Sequence, residues 1–270
     1  MPELKPGFVA NMRALLGEEA GAFFRALEEA PSLALRPHRG MEAAEPFIEG
    51  AVPWAEGGFY LRPGARPGAS VAHWAGAFYL QEASAMLPAA ALNARPGERV
   101  LDLCAGSGCV GLAVASQVHA CRVVLGEKSE AALRICRQNI RRSGLLGRVT
   151  PMPADALEPP TRQLGEFDCI VCNPPYIPTQ DIETLDVSVR DYEPHMALDG
   201  GEDGLEFYRA ISENWREALH PGARLYFEVG IGQADSVLRI MRRQGFGELE
   251  IVPDTAGIPR VVYGTLYNEI

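Results

Sequence analysis

From residue 99 onward, short apolar runs alternate with longer stretches whose apolar positions recur every three or four residues. RVLDL (99–103), RVVLGE (122–127), DCIVC (168–172) and RLYFEVG (224–230) have the length and composition of buried strands. VGLAVASQV, SEAALRICRQNIRRS, GLEFYRAISENWREAL and QADSVLRIMRRQG carry the helical period between and after them. Such alternation predicts an α/β fold, a mostly parallel sheet with helices on both faces. ELEIVP (248–253) and RVVYGTL (260–266), separated by DTAGIP, predict an antiparallel end strand.

The first hundred residues follow a different pattern. FVANMRALLGEEAGAFFRALEEA (8–30) reads as one or two amphipathic helices. Residues 31–72 are rich in Pro and Gly, with short β-like pieces in PFIEGAVPW and GGFYLRP. WAGAFYLQEASAMLPAAAL (74–92) reads as an apolar helix, with Pro88 as an interruption. The expected organisation is a small α+β domain over 1–72, a connecting helical segment over 73–98 and a large α/β domain over 99–270.

Composition narrows the setting. A hydrophobic content of 47% and a charged content of 22% are ordinary for a globular chain. No apolar run approaches the roughly 20 residues of a membrane span. The N-terminus lacks the basic start and apolar middle of a signal peptide, so a cytoplasmic protein with no membrane contact is expected. The net charge of −10 argues mildly against a nucleic-acid substrate, which would reward clustered Lys and Arg. All six cysteines fall between Cys104 and Cys172, mostly in apolar segments, which reads as small buried hydrophobes. Cys169 and Cys172 have a metal-like spacing, but three positions along a strand they point to opposite faces; no metal site is expected.

The candidate chemistry begins at LDLCAGSGCVGLAVA (101–115), where a strand, a small-residue turn and a helix follow one another. Glycines let a ligand approach the backbone, and a helix start offers free N–H groups. Glu127, 19 residues after Gly108 and ending the next strand, is placed to accept hydrogen bonds from ribose hydroxyls. Gly106, Gly108 and Gly111 also spell G-x-G-x-x-G, the string of a dinucleotide site. Asp102 before the turn suits a pyrophosphate poorly. It suits the cationic amino-acid end of S-adenosyl-L-methionine (SAM), and Asp155, after the third strand, would reach the adenine amine. The predicted cofactor site comprises Asp102, Cys104, Ala105, Gly106, Gly108, Glu127, Lys128, Asp155, Ala156 and Asn173.

The stretch DCIVCNPPYIP (168–178) ends a buried run in Asn173, Pro174, Pro175 and Tyr176. An amide or exocyclic base nitrogen is a poor nucleophile because its lone pair is conjugated. A site assists by accepting hydrogen bonds from both of its N–H groups. The Asn173 side-chain oxygen can take one and the Pro174 carbonyl the other, held stiffly because proline fixes φ. Tyr176 can pack on the planar group. These four are the expected catalytic residues.

Residues from about 100 to 270 resemble the HemK/PrmC family of protein glutamine methyltransferases. The resemblance rests on NPPYIP (173–178), VRDYEPHMALDGGEDGLEFYR (189–209), YFEVGIGQ (226–233) and DTAGIPRVVYG (254–264). It implies a SAM-dependent methyltransferase, Rossmann-like fold of seven strands. It also implies methyl transfer to the glutamine of the Gly-Gly-Gln loop of peptide chain release factors. NPPY alone is shared with DNA amino-methyltransferases and gives only the reaction type. Before residue 100, NMRALLGEEAGAFFRALEE, VPWAEGGFYLRPGARPG and HWAGAFYLQEASAM resemble Sun-type RNA cytosine-5 methyltransferases. That resemblance implies an RNA contact through the N-terminal part, where Trp54, Phe59, Tyr60, His73 and Trp74 are candidates to stack bases or to form a small core. The family's Pro-Cys-Ser and Thr-Cys-Ser contexts for a nucleophilic cysteine are missing, so methylation of a base amine is the alternative chemistry. The two resemblances change over near residues 100–105, as in a chimera joined at a shared strand.

Overall fold

The computed structural model describes residues 33–37, 41–53, 55, 57–74, 77–82, 92–185, 190, 193–253 and 257–267, with a few positions before residue 30. The helices expected over 8–30 fall almost wholly outside the described residues, as do Trp54 and the side chain of Trp74.

A small antiparallel sheet comes first. Its strands are β1 (Leu33–Pro37), β2 (Ile48–Ala51), β3 (Phe59–Leu61) and β4 (Phe78–Glu82), in the order β2-β3-β1-β4. β2 and β3 lie in the two pieces expected to be β-like. The helix expected over 74–92 does not form at Phe78–Glu82. That segment is β4, paired with β1 from Leu33↔Glu82 to Pro37↔Phe78. A short apolar run carries no period long enough to separate helix from strand. β1 decides the outcome by offering a ladder and a core in which Phe78 packs with Leu35 and Ala44. The connecting segment is therefore partly a strand of the small sheet. Val71–Trp74 before it is a single helical turn, and residues 83–91 lie outside the described residues. Tyr60 packs on a second cluster of Ala34, Val52 and Ala55, and His73 lies beside Phe78 with ring centroids 5.8 Å apart.

The large sheet has seven strands: β5 (Arg99–Leu103), β6 (Arg122–Glu127), β7 (Val149–Pro153), β8 (Phe167–Cys172), β9 (Leu219–Glu228), β10 (Phe246–Pro253) and β11 (Pro259–Leu266). The order is β10-β11-β9-β8-β5-β6-β7. β11 runs antiparallel to both neighbours, and β5 to β9 pair in parallel. β7 holds two prolines, which the ladder tolerates because it is an edge strand.

Four described helices cover this sheet: α1 (Cys109–Gln117), α2 (Glu130–Arg142), α3 (Glu206–Asn214) and α4 (Ala234–Arg243). α2 buries Leu133, Cys136 and Ile140, one face of a helix, and Ser129 caps it by accepting the Ala132 N–H. Side chains alternate between two cores. Leu101, Leu103, Ile170 and Cys172 meet Tyr208, Trp215, Val237 and Met241 on one face. Val100, Cys169 and Val171 meet Val114, Cys136 and Ile140 on the other. Cys169 and Cys172 thus lie on opposite faces, as the strand period requires. All six cysteines are free; Cys109 is exposed and Cys104 half-buried, whereas the other four are buried.

The small sheet touches the large domain through Arg36 of β1. It is buried and directs both terminal guanidinium nitrogens at the side-chain carboxamide of Gln117, the last residue of α1. Among the described residues, no helix is long and apolar enough to cross a membrane.

At the start of β8 and β9, away from the glycine turn, His220 Nε2 lies 2.9 Å from Asp168 Oδ1 and Nδ1 lies 2.8 Å from the Pro221 carbonyl. The hydrogen bond to Asp168 and then the Pro221 carbonyl raise the His220 pKa above 6.5. Burial pushes the Asp168 carboxyl up, but the Arg99 N–H and His220 outweigh it and leave it below the usual range. His220 therefore contributes stability in full below its unfolded pKa, and that stability is lost as pH rises through its folded pKa. Asp168 contributes above its unfolded pKa, and that contribution is lost as pH falls through its folded value. Thermal unfolding at pH 5.5 and 8.5 should show a lower midpoint at pH 8.5, and His220→Gln should shrink the difference.

Candidate active site

β5 lies at the point where the strand order reverses, and its register with β8 aligns Leu103 with Cys172. Glu127 aligns likewise with Pro153. The carboxyl ends of β5, β6, β7 and β8 therefore open on one crevice, the place where ligands bind in open α/β sheets.

The turn after β5 is shaped by left-handed backbone at Cys104 (φ 59°), Gly106 (φ 56°) and Gly108 (φ 84°). Gly108 begins α1. Gly111 serves packing: a Cβ there would strike Leu125 and lie 2.9 Å from Val123, so α1 rests directly on β6. The turn is then tied from its sides. The Gly106 N–H donates to Glu127 Oε2 at 2.8 Å. Cys136 Sγ donates to the Gly106 carbonyl at 3.1 Å, and Asn139 Nδ2 to the Ser107 carbonyl at 3.0 Å. Cys136 and Asn139 stand three residues apart on α2, so both reach the same turn. That spacing was the only sign of their role in the sequence, and nothing there said what α2 faces.

Glu127 is 8% exposed and holds two N–H groups, since Oε1 also accepts from Ser129 at 2.7 Å. It fixes the glycine turn and the start of α2 together. Asp102 is 3% exposed and lies one layer deeper, where Oδ2 accepts the Gly111 N–H at 2.8 Å. An acid at the first turn of α1 is favoured by the helix dipole. Burial, partly offset by the Gly111 N–H and reinforced by Glu127, pushes its pKa up to about 7. Asp155, after β7, pairs with Lys128 at 2.7 Å and accepts the Leu157 N–H at 3.1 Å. Burial raises the Asp155 carboxyl, but Lys128 and Leu157 outweigh it and hold it below the usual range.

A cavity of about 320 Å³ opens here, within the range of small-molecule sites. Of the predicted residues, Cys104, Gly106, Glu127, Lys128, Asp155, Ala156, Asn173 and Pro175 line it. Asp102, Ala105, Gly108, Pro174 and Tyr176 do not; they lie behind it or beside it. Met196 and Phe207, which the sequence did not single out as site residues, complete the wall and open onto an adjoining groove of about 620 Å³.

Asn173 decides how the chemistry reads. β8 is buried almost throughout, and Pro174 and Pro175 are buried, yet Asn173 between them is exposed at the cavity. Its side chain makes no hydrogen bond within the described residues. Tyr176 is half-buried and packs against the core rather than the cavity. Burial first, then Glu228, raises its phenol above the ordinary value. The segment 198–204 runs beside Asn173–Thr179: Ile177 donates to the Leu198 carbonyl at 3.0 Å and Gly200 to the Ile177 carbonyl at 2.8 Å. Asp191 and Tyr192 of the DYEP stretch lie outside the described residues.

Two family models match, side by side. Residues 4–83 match the N-terminal domain of 16S rRNA methyltransferase RsmF, and residues 76–189 match the methyltransferase small domain. A solved methyltransferase homolog protein from Pyrococcus horikoshii shares the fold over 97% of this chain and 98% of its own, with a TM-score of 0.65 and 19% identity. This is a methyltransferase fold. The structure of TrmN from Thermus thermophilus shares it over 77% of this chain and 56% of its own, with a TM-score of 0.51 and 23% identity. Among curated relatives, the release factor glutamine methyltransferase of Geobacter sulfurreducens is 47% identical over 169 residues, 62% of this chain and 57% of the relative. That of Thermodesulfovibrio yellowstonii is 39% identical over 171 residues, 63% of this chain and 60% of its own. The chain thus spans less than two thirds of the curated relatives that it matches. Both resemblances read from the sequence are present, and the two model matches overlap at residues 76–83.

The site fits S-adenosyl-L-methionine as cofactor. It has a glycine turn open to a ligand and acids at the ends of β6 and β7. Glu127→Ala removes the acceptor of both the Gly106 and Ser129 N–H groups. It should weaken SAM binding at least tenfold by calorimetry, since hydrogen bonds to charged groups contribute about 1.5–3 kcal/mol each.

Proposed function

We propose that this protein is a SAM-dependent N-methyltransferase acting on the side-chain amide of the glutamine in the Gly-Gly-Gln loop of peptide chain release factors. The observation that carries the chemistry is the exposed Asn173 at the cavity, its carboxamide making no hydrogen bond among the described residues. The choice of substrate is supported by the similarity to release factor glutamine methyltransferases over about three fifths of the chain.

Glu127 and the turn at Gly106 would hold the cofactor's ribose side and Asp155 its adenine side. Bound there, the cofactor supplies a methyl group on a sulfonium, an electrophile with a good leaving group. The protein's task is then chiefly positioning. The Asn173 side-chain oxygen and the Pro174 carbonyl accept the two N–H groups of the acceptor amide and set its nitrogen toward the cavity. Two prolines in succession keep these acceptors rigid. No strong base is needed beforehand, because the nitrogen gives its proton to water once the new bond has formed.

The match of residues 4–83 to an rRNA methyltransferase domain favours a second reading, methylation of an exocyclic base amine in RNA. One experiment separates the two. Labelled SAM is offered with purified unmodified release factor and, in parallel, with unmodified ribosomal RNA, and mass spectrometry locates the product. Label on the Gly-Gly-Gln glutamine supports the first reading. Label in RNA alone overturns it in favour of the second.

A further inference from the structure

Among the described residues, one side chain outside the NPPY segment hydrogen-bonds to it. Gln233, in the turn between β9 and α4, donates from Nε2 to the Tyr176 carbonyl at 2.9 Å and to the Gly204 carbonyl at 3.2 Å. Its Oε1 accepts the Gly230 N–H at 3.1 Å. One carboxamide therefore joins three segments distant in sequence: the end of NPPY, the 198–204 strip beside it and the turn that follows β9. Three glycines make the approach feasible. A Cβ at Gly204 would collide with the Tyr176 carbonyl and lie 2.8 Å from Gln233 Nε2. A Cβ at Gly230 would lie 2.7 Å from Gln233 Oε1 and 3.0 Å from the Tyr176 ring. A Cβ at Gly200 would lie 2.7 Å from Tyr176 Cα. α3 braces the same turn, since the Tyr208 hydroxyl donates to the Glu228 carbonyl at 3.0 Å.

We infer that Gln233 is a positioning residue for methyl transfer: it anchors the Tyr176 carbonyl and, through the rigid Pro174–Pro175 pair, fixes where Asn173 presents its carboxamide. The inference rests on the reading of Asn173 as the acceptor clamp. The chemistry of the position is selective. It needs donors for two carbonyls and an acceptor for one N–H on a single planar group, which only a carboxamide provides at neutral pH. A carboxylate would set one negative oxygen against both carbonyls. A protonated carboxyl would regain one donor. Both ends of Asn173–Tyr176 are then held, by the β8 ladder at one side and Gln233 at the other, with fixed φ between them. Gln233 does not line the cavity, so its loss should not remove a cofactor contact.

The test uses the full chain with Gln233→Glu, Gln233→Ala and, as control for the underlying reading, Asn173→Ala. Turnover of Gln233→Glu at pH 8 should fall about 10- to 100-fold, the cost of a misplacement on the order of 1 Å, with SAM affinity within about threefold of the unaltered protein. Its turnover relative to the unaltered protein should then recover as pH is lowered toward 5.5, which a merely structural defect would not produce. Independently of activity, amide exchange over 176–179 and 200–206 in Gln233→Ala should quicken at least tenfold, while 99–103 stays protected. A flat pH ratio, a parallel loss of SAM affinity, or unchanged exchange would each overturn the inference. Full turnover in Asn173→Ala, with exchange altered in Gln233→Ala, would instead retain the anchor and sink the clamp it serves.

Discussion

Asn173→Ala is expected to lower methyl transfer by about 10²–10³-fold while SAM binds almost as before. The magnitude is that of removing one preorganised hydrogen-bonding group from a reacting centre. Asn173 makes no hydrogen bond within the described residues, so its truncation leaves β8 and the prolines in place. It shares the cavity wall with Glu127 and Asp155, which under the proposed reading would hold the cofactor through contacts of their own. Asn173→Asp keeps an acceptor oxygen at the same point and should retain more activity than alanine. Calorimetry of SAM binding and single-turnover methyl transfer measure the two halves of the prediction. Retained turnover in Asn173→Ala would remove this residue from the mechanism.

Gly200→Ala should have a comparable effect from a residue that lines neither the cavity nor the adjoining groove. A Cβ at Gly200 would lie 2.7 Å from Tyr176 Cα, 2.9 Å from the Pro175 carbonyl oxygen and 2.9 Å from the Tyr176 carbonyl carbon. All three neighbours are main chain and cannot rotate away. Ile177 is bridged to Asp199 next door, and Thr179 Oγ1 donates to Asp199 Oδ1 at 2.6 Å, so the strip cannot drift outward without losing those contacts. The methyl group must displace NPPY or separate the two strips. Overpacking of this kind costs about 1–3 kcal/mol. A shift on the order of 1 Å at the reacting groups costs about 10²-fold in rate. Turnover should therefore fall about a hundredfold, with a lower unfolding midpoint and SAM affinity nearly unchanged. Turnover within threefold of the unaltered protein would show that the strip yields without moving Asn173.

Much of the candidate site was legible because it sits at strand ends. The turn at Gly106 and Gly108, Glu127 after β6, Asp155 after β7 and Asn173 after β8 follow from strand–helix alternation, which brings carboxyl ends to one edge. Asp102 shows where that logic stops. Its place next to the turn was readable. Its burial under α1, with its carboxylate on the Gly111 N–H, depends on which face of β5 that helix covers. Tyr176 is similar: its proximity to Asn173 was visible, but its packing into the core follows from glycines at 200, 204 and 230. Cys136, Asn139 and Gln233 bind turn and loop backbone from distant elements, and no local spacing announces such partners.

The sequence by itself determined the α/β class, the alternation that orders the sheet, the acids and the Asn-Pro-Pro-Tyr stretch at strand ends. These depend on periodicity and on residues near in the chain, which local physics constrains. Tertiary structure alone decided that Phe78–Glu82 is a strand, because an apolar pentad takes whichever partner is offered, and β1 offered a ladder. It also decided that one glutamine joins three segments around Tyr176, because buried backbone groups must find partners wherever the fold brings them.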